Sequence, residues 1–200
     1  MRIPLNRLAL ATLFVPAVIP ALAQTPAIAP SLLAKANGGD APSQVEIGDL
    51  YARAAAAASQ DPNRRAAAAL SASDYQQAAE WYRKSAGQGN ISGEMRLAAL
   101  YRDGRGVERD MAQAAEWYRK AAEQGDAGAQ ATLGVLYSMG QGVPHSDVEA
   151  YYWLDLAASV KGPDQDKYAA NRQMIGTHIT ADELADVEER VAKWLAAHPR

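Results

Sequence analysis

The octapeptide QAAEWYRK occurs at residues 77–84 and again, letter for letter, at 113–120. A third tryptophan keeps the same step, so that Trp81, Trp117 and Trp153 lie 36 residues apart. The segments upstream repeat in register: LAALYRDGRGV begins at Leu97 and LGVLYSMGQGV at Leu133. A fixed period of this size means a stack of like units, each burying its apolar face only against its neighbours. No other feature restricts the possible folds as strongly.

Within a unit the periodicity is helical. Ala114, Trp117, Tyr118, Ala121 and Ala122 fall on one stripe of a helix, with Glu116 and Lys120 at i, i+4 on the opposite face. Gly125 and Asp126 end that helix, and the preceding one, roughly residues 128–138, carries Ala129, Leu133, Leu136 and Tyr137 on its stripe. Between the two helices of each unit stands GRGV (104–107) or GQGV (140–143). Paired glycines allow positive φ and a tight turn. Asp110, and Ser146 or Asp147, are placed to cap the helix that follows.

These residues resemble the Sel-1-like repeat, a relative of the tetratricopeptide repeat: L-G-x-x-Y, then G-x-G-V, then A-x-x-W-Y-x-x-A-A-x-x-G. The resemblance implies an all-α fold, a right-handed α-solenoid of helix-turn-helix repeats with capping helices. Residues 91–126 and 127–162 fit the pattern, Leu154 replacing the tyrosine of the W-Y pair in the second. A third unit is expected at 39–90, because GDAPSQVEIGDLY (39–51) aligns without gaps on GDAGAQATLGVLY (125–137). Tyr51 and Trp81 are 30 residues apart where the later units have 16, so fourteen residues are inserted and the glycine turn is missing. The insert is alanine-rich on both sides of SQDPN. Alanine is the strongest helix former, and Asp61-Pro62 reads as a helix start. Split evenly, the insert adds two turns to each helix, about 10 Å. A protruding helical hairpin is expected, the alternative being a partly disordered excursion.

At the ends, residues 31–36 stand where a preceding helix would, and 163–179 read as a partial further repeat. Thr180 and Glu183 form a capping box before Leu184, Val187, Val191, Trp194 and Leu195, a C-terminal capping helix within 180–200. Repeats are thus expected over 31–179. Residues 1–23 carry Arg2 and Arg7, an apolar run from Leu8, and small residues at Ala21 and Ala23. That is the pattern of a cleaved signal peptide, followed by an extended lead at 24–30. The run is broken by Pro16 and Pro20 and is short of the ~20 residues that span a bilayer; an uncleaved anchor is the alternative. The expectation is a periplasmic or secreted protein of a Gram-negative bacterium.

Composition narrows the chemistry. The net charge is −3, or −5 without Arg2 and Arg7, which argues against a nucleic-acid or anionic-membrane surface. With no cysteine there is no disulfide and no thiolate. His145, His178 and His198 match no metal-ligand spacing and read as surface residues. There is no H-E-x-x-H and no G-x-S-x-G. GRGV and GQGV join two helices and lack the third glycine of a dinucleotide loop. The carboxylates of 182–190 suit the first turns of a solvated helix. No catalytic, cofactor-binding or metal-binding residue is expected.

What remains is a surface. Arg96, Ala99 and Asp103 make one stripe left free by packing, and Thr132, Val135 and Met139 occupy the same positions 36 residues later. Arg53 and, at the tip of the inserted hairpin, Arg64 and Arg65 form a second candidate surface, suited to an acidic partner or simply to solvent. Proteins with these repeats commonly act as adaptors in multiprotein assemblies, so the resemblance implies a non-catalytic protein–protein interaction module. It would be a periplasmic adaptor or scaffold for an envelope protein or peptide. The alternative is a peptidoglycan-binding module or an accessory to a cell-wall enzyme.

Overall fold

The computed structural model describes residues 26–59 and 64–199. The expected signal segment, the Asp61-Pro62 helix start and the side chains of Arg64 and Arg65 lie outside the described residues. Among those described there are nine helices and no strand: α1 (Pro30–Asn37), α2 (Ala41–Ala58), α3 (Arg64–Ala86), α4 (Ile91–Asp103), α5 (Met111–Glu123), α6 (Ala127–Met139), α7 (Asp147–Ala158), α8 (Gln165–Gly176) and α9 (Ala181–Ala197). Contacts run chiefly between successive helices, with α7 also touching α9 and α2 touching α4. This is an α-solenoid.

Local chemistry sets the helix starts. Asp40, Asn90, Asp110, Asp126 and Ser146 each accept from backbone N–H groups of the helix they precede. Asn90 is therefore the cap of α4. Thr180 and Glu183 form the reciprocal capping box of α9. The fused cores alternate alanine with one large residue per turn: Leu97 against Ala78 and Tyr82, Leu133 against Leu154 and Ala150, Val187 and Val191 closing the C-terminal end.

The repeated octapeptide does the same thing twice. Its two alanines are buried against the neighbouring helices, and its lysine lies over its own tryptophan, Lys84 at 4.0 Å from the Trp81 ring and Lys120 at 3.8 Å from Trp117. Lys120 thus turns to Trp117 rather than to Glu116, which instead accepts from Gln113. The cation lies over the face of the ring.

The glycine turns carry the stacking. Gly104 and Gly140 are left-handed C-caps. Gly106 and Gly142 also have positive φ, and each lies against the backbone at the corresponding point of the preceding unit's second helix. A Cβ at Gly106 would stand 2.2 Å from the Tyr75 carbonyl carbon, and one at Gly142 would stand 2.0 Å from the Met111 carbonyl oxygen. The first unit has no such turn. Its α2 ends at Ser59 in a right-handed conformation and runs to 18 residues, and α3 runs to 23, against 13 each for α4 and α5. The extra length falls mainly on α3 rather than equally on both helices. It is held because Ala55 and Ala58 are fully buried.

A polar ladder crosses the same joints. Gln44, Gln130 and Gln165 each donate from Nε2 to a carbonyl at the end of the previous helix, those of Ala36, Ala122 and Ala158. Gln88 donates in turn to Oε1 of Gln44 at 2.8 Å, and Gln124 to Glu94 at 2.8 Å. The next residue in that series is Val160, and Oε1 of Gln130 is accordingly buried without a partner. Glu94 occupies the glutamine position in the middle unit. It is 2 % exposed, and burial raises its pKa, against the pull of Lys120.

Two outcomes follow for stability. Gly39→Ala, where φ is +96° and nothing lies within 4 Å of the new methyl, costs about 1 kcal/mol in urea unfolding from its φ alone. Gly142→Ala costs that plus the clash with Met111, at least about 2 kcal/mol. Equal costs would show that the close approach carries no stability. Glu94→Gln restores the donor that Gln44 supplies in its unit and keeps the acceptor for Gln124. It stabilises the fold by about 1 kcal/mol at pH 7. Because the folded pKa of Glu94 is raised, the wild-type carboxyl contributes most below its ordinary value of 4.5 and that contribution is lost as pH rises through the raised value. The gain from Glu94→Gln therefore shrinks in thermal melts taken below that pH.

Candidate functional site

The first helices of the first two units, α2 and α4, lie side by side over α3 and enclose a groove of about 520 Å³. Arg96, Ala99 and Asp103 of α4 form one wall, one side chain per turn. Asp49, Ala52, Arg53 and Ala56 of α2 form the other, and Tyr75 and Tyr82 rise from α3 as the floor. Asp49 and Arg53 stand at the positions of Ala99 and Asp103 when residues 39–51 are aligned on 125–137. The alignment therefore already held the second wall. Arg105 enters from the G-x-G-V turn at the open end, and nothing in the helical periodicity points to it.

The charges inside the groove are unevenly used. The Tyr82 hydroxyl donates to Oδ1 of Asp49 at 2.7 Å, and Nη2 of Arg96 donates to its Oδ2 at 3.2 Å. Burial, followed by the bond to Asp49, pushes the Tyr82 phenol well above the ordinary tyrosine range, so it stays a donor. Asp103 accepts from Nε and Nη2 of Arg102 at 2.8 and 3.3 Å, which holds its pKa below the usual carboxylate range. Nε of Arg105 lies 3.7 Å from Oδ2 of that carboxylate, and its guanidinium 5.7 Å over the Tyr75 ring. Among the described residues Arg53 donates from Nε to the backbone carbonyl of Asp49 at 3.2 Å. Both carboxylates are thus engaged, whereas the guanidinium forks of Arg53, Arg96 and Arg105 keep donors to spare.

The second expected row is elsewhere. Thr132 is half-buried and turns its hydroxyl to the Gly128 carbonyl at 2.8 Å, Val135 is half-buried, and Met139 stands 62 % exposed at the end of α6. None of them lines the groove. Arg64 and Arg65 open α3. Of the histidines, His145 and His178 each lie 3.5 Å from an oxygen of Asp147, and His198 stacks on Trp194 with ring centres 4.1 Å apart. Among the described residues no three acidic or histidine side chains are grouped to hold a metal ion.

Comparison with known proteins agrees with this architecture. The family model described as Sel1 repeat matches residues 65–90, 91–126 and 127–159. The match starts inside α3 and leaves out α2, whose turn is replaced by the insert. A Sel1 repeat protein from Oxalobacter formigenes is 31% identical, with a TM-score of 0.54, over 64% of this chain and 88% of its own. A protective antigen present in uropathogenic Escherichia coli strains, described as displaying an SLR fold, is 27% identical with a TM-score of 0.57. That likeness covers 82% of this chain, which spans 40% of the antigen's. No curated protein matches the sequence. The chain belongs to the Sel1 repeat family, whose members generally mediate protein–protein interactions as non-catalytic scaffolds.

Proposed function

We propose that this member is a non-catalytic adaptor of the bacterial envelope, exported to the periplasm, where it holds an envelope protein or a peptide segment of one. The observation that carries this reading is the groove between α2 and α4, where a row of exposed side chains at one-turn spacing faces a second row across an open floor. A solenoid offers such a surface because its cores use only the sides of each helix that meet a neighbour. Three further points support it. Residues 1–23 have the composition of a signal peptide. No helix among the described residues is long and apolar enough to cross a membrane. Both solved relatives named above are bacterial proteins. The long α2–α3 pair is part of the proposal, since it forms one wall and the floor of the groove.

The test is affinity capture from a solubilised envelope extract, with the chain from residue 24 to 200 as bait and purified sacculi as competitor. A form in which a G-x-G-V turn replaces the extra length of α2 and α3 is run alongside. One protein retained by the full bait, undiminished by sacculi and lost on shortening, is the expected result. A bait that retains no protein and sediments with sacculi would overturn the adaptor reading and favour wall binding.

A further inference from the structure

The groove's electrostatics point to the kind of partner it takes. The chain as a whole is acidic, at −3, yet among the described residues three guanidinium groups and two carboxylates line this groove. Both carboxylates are saturated from within: Asp49 by Tyr82 and Arg96, Asp103 by Arg102. The cations are not. Among the described residues Arg53 has no carboxylate partner, and it spends one N–H on its own helix. Arg96 uses a single Nη on Asp49, with a side chain 57 % exposed. Arg105, 56 % exposed, reaches Asp103 only at 3.7 Å. A guanidinium with a free fork is the donor geometry that matches a carboxylate, two parallel N–H groups to two oxygens.

The surface between these forks is apolar and low. Ala52 and Ala56 on one wall and Ala99 on the other leave a channel whose floor is the Tyr75 ring and Leu100. Alanines at those points let a backbone approach, and a small apolar side chain can sit between the arginines. Asp49 and Asp103 interrupt the positive charge, so a continuous phosphate backbone meets repulsion at two points along the groove, whereas an extended peptide can place its carboxylates at the guanidiniums alone.

We propose that the α2–α4 groove binds an acidic peptide segment, with Arg53, Arg96 and Arg105 pairing its glutamate or aspartate side chains and the channel between the alanine-lined walls taking an apolar residue between them. The proposal rests on the adaptor reading and gives the chemistry of its partner. Asp49 acts as a positioning residue: held by Tyr82, it fixes one Nη of Arg96 and leaves the rest of that guanidinium turned to the groove.

The experiment is fluorescence anisotropy with the full mature chain and a labelled peptide alternating glutamate with leucine. The same peptide with lysine for glutamate, and unlabelled inorganic phosphate, serve as comparisons. Saturable binding of the acidic peptide alone is expected, weakening at higher salt. Arg53→Gln and Arg105→Gln should each weaken it roughly tenfold, the loss of one charge-assisted pair. Arg190→Gln, which loses a bond to Glu149 at the far end of the molecule, should leave it unchanged. Arg53→Lys and Arg105→Lys keep the charge without the fork and should fall between; circular dichroism checks that every variant is folded. The proposal is overturned by no saturable binding, by equal binding of the lysine peptide, by full affinity in the Arg53→Gln, Arg105→Gln double variant, or by displacement with phosphate at the peptide's own affinity. If the envelope capture retains a protein while the acidic peptide does not bind, this inference falls and the adaptor reading stands.

Discussion

Everything in this solenoid is referred to one close contact, the approach of the second glycine of each G-x-G-V turn to the backbone of the unit before it. At Gly106 and Gly142 the space that a methyl group would occupy is already filled by the carbonyl groups of Tyr75 and Met111. Backbone-to-backbone contact is less forgiving than side-chain packing, because neither partner can change rotamer. It therefore fixes the step from unit to unit, and with it the distance between first helices on which the groove depends. The first glycine, a left-handed cap, only turns the chain; the second sets the register of the stack.

Polar interactions then discriminate between joints that the glycine contact makes alike. The glutamine ladder is complete where Gln88 meets Gln44, acquires a buried carboxylate at Glu94, and lacks its last rung where Val160 follows. A second series links Arg83 to Tyr101, Arg119 to Tyr137 and Asp155 to Arg172, one per joint. The chemistry of the pair changes from hydrogen bond to ion pair toward the C-terminus, while the place of the contact does not. At the end, Arg190 of α9 lies 4.4 Å over the Tyr152 ring and bonds Glu149, so the capping helix is held by charge as well as by Val187 and Val191. A repeat array needs such an end, since its last unit would otherwise expose the face that every other unit buries.

The elongated first unit changes the surface of the stack. Without a glycine turn, α2 and α3 continue past the point where the other units fold back. The continuation of α2 places Ala56 in the groove that Tyr75 and Arg105 of the following turn also line. The groove is therefore asymmetric along the solenoid: charged where α2 and α4 face each other, and without a counterpart at Thr132, Val135 and Met139, where the same positions carry small or apolar side chains. Stacking is shared by all units; the charged groove lies at one joint.

Much of the architecture was legible in the chain. The 36-residue step, the helical stripes, the capping residues and the closing helix all follow from local rules, because caps, turns and periodicity depend on residues within a few positions of each other. Alanines and tryptophans at fixed spacing announced the core. Less legible was anything set by contact across units. That Gly106 and Gly142 lie against the backbone of the preceding unit was decided by what lay alongside. The same holds for the groove. Arg96, Ala99 and Asp103 could be read as a free stripe from sequence, but their partners, Asp49 and Arg53, lie some fifty residues earlier and are joined to them only by stacking. A periodic sequence determines by itself that its units stack and what each buries. Which side chains the stack then brings face to face depends on the angle and spacing of whole helices, and those belong to the tertiary structure alone.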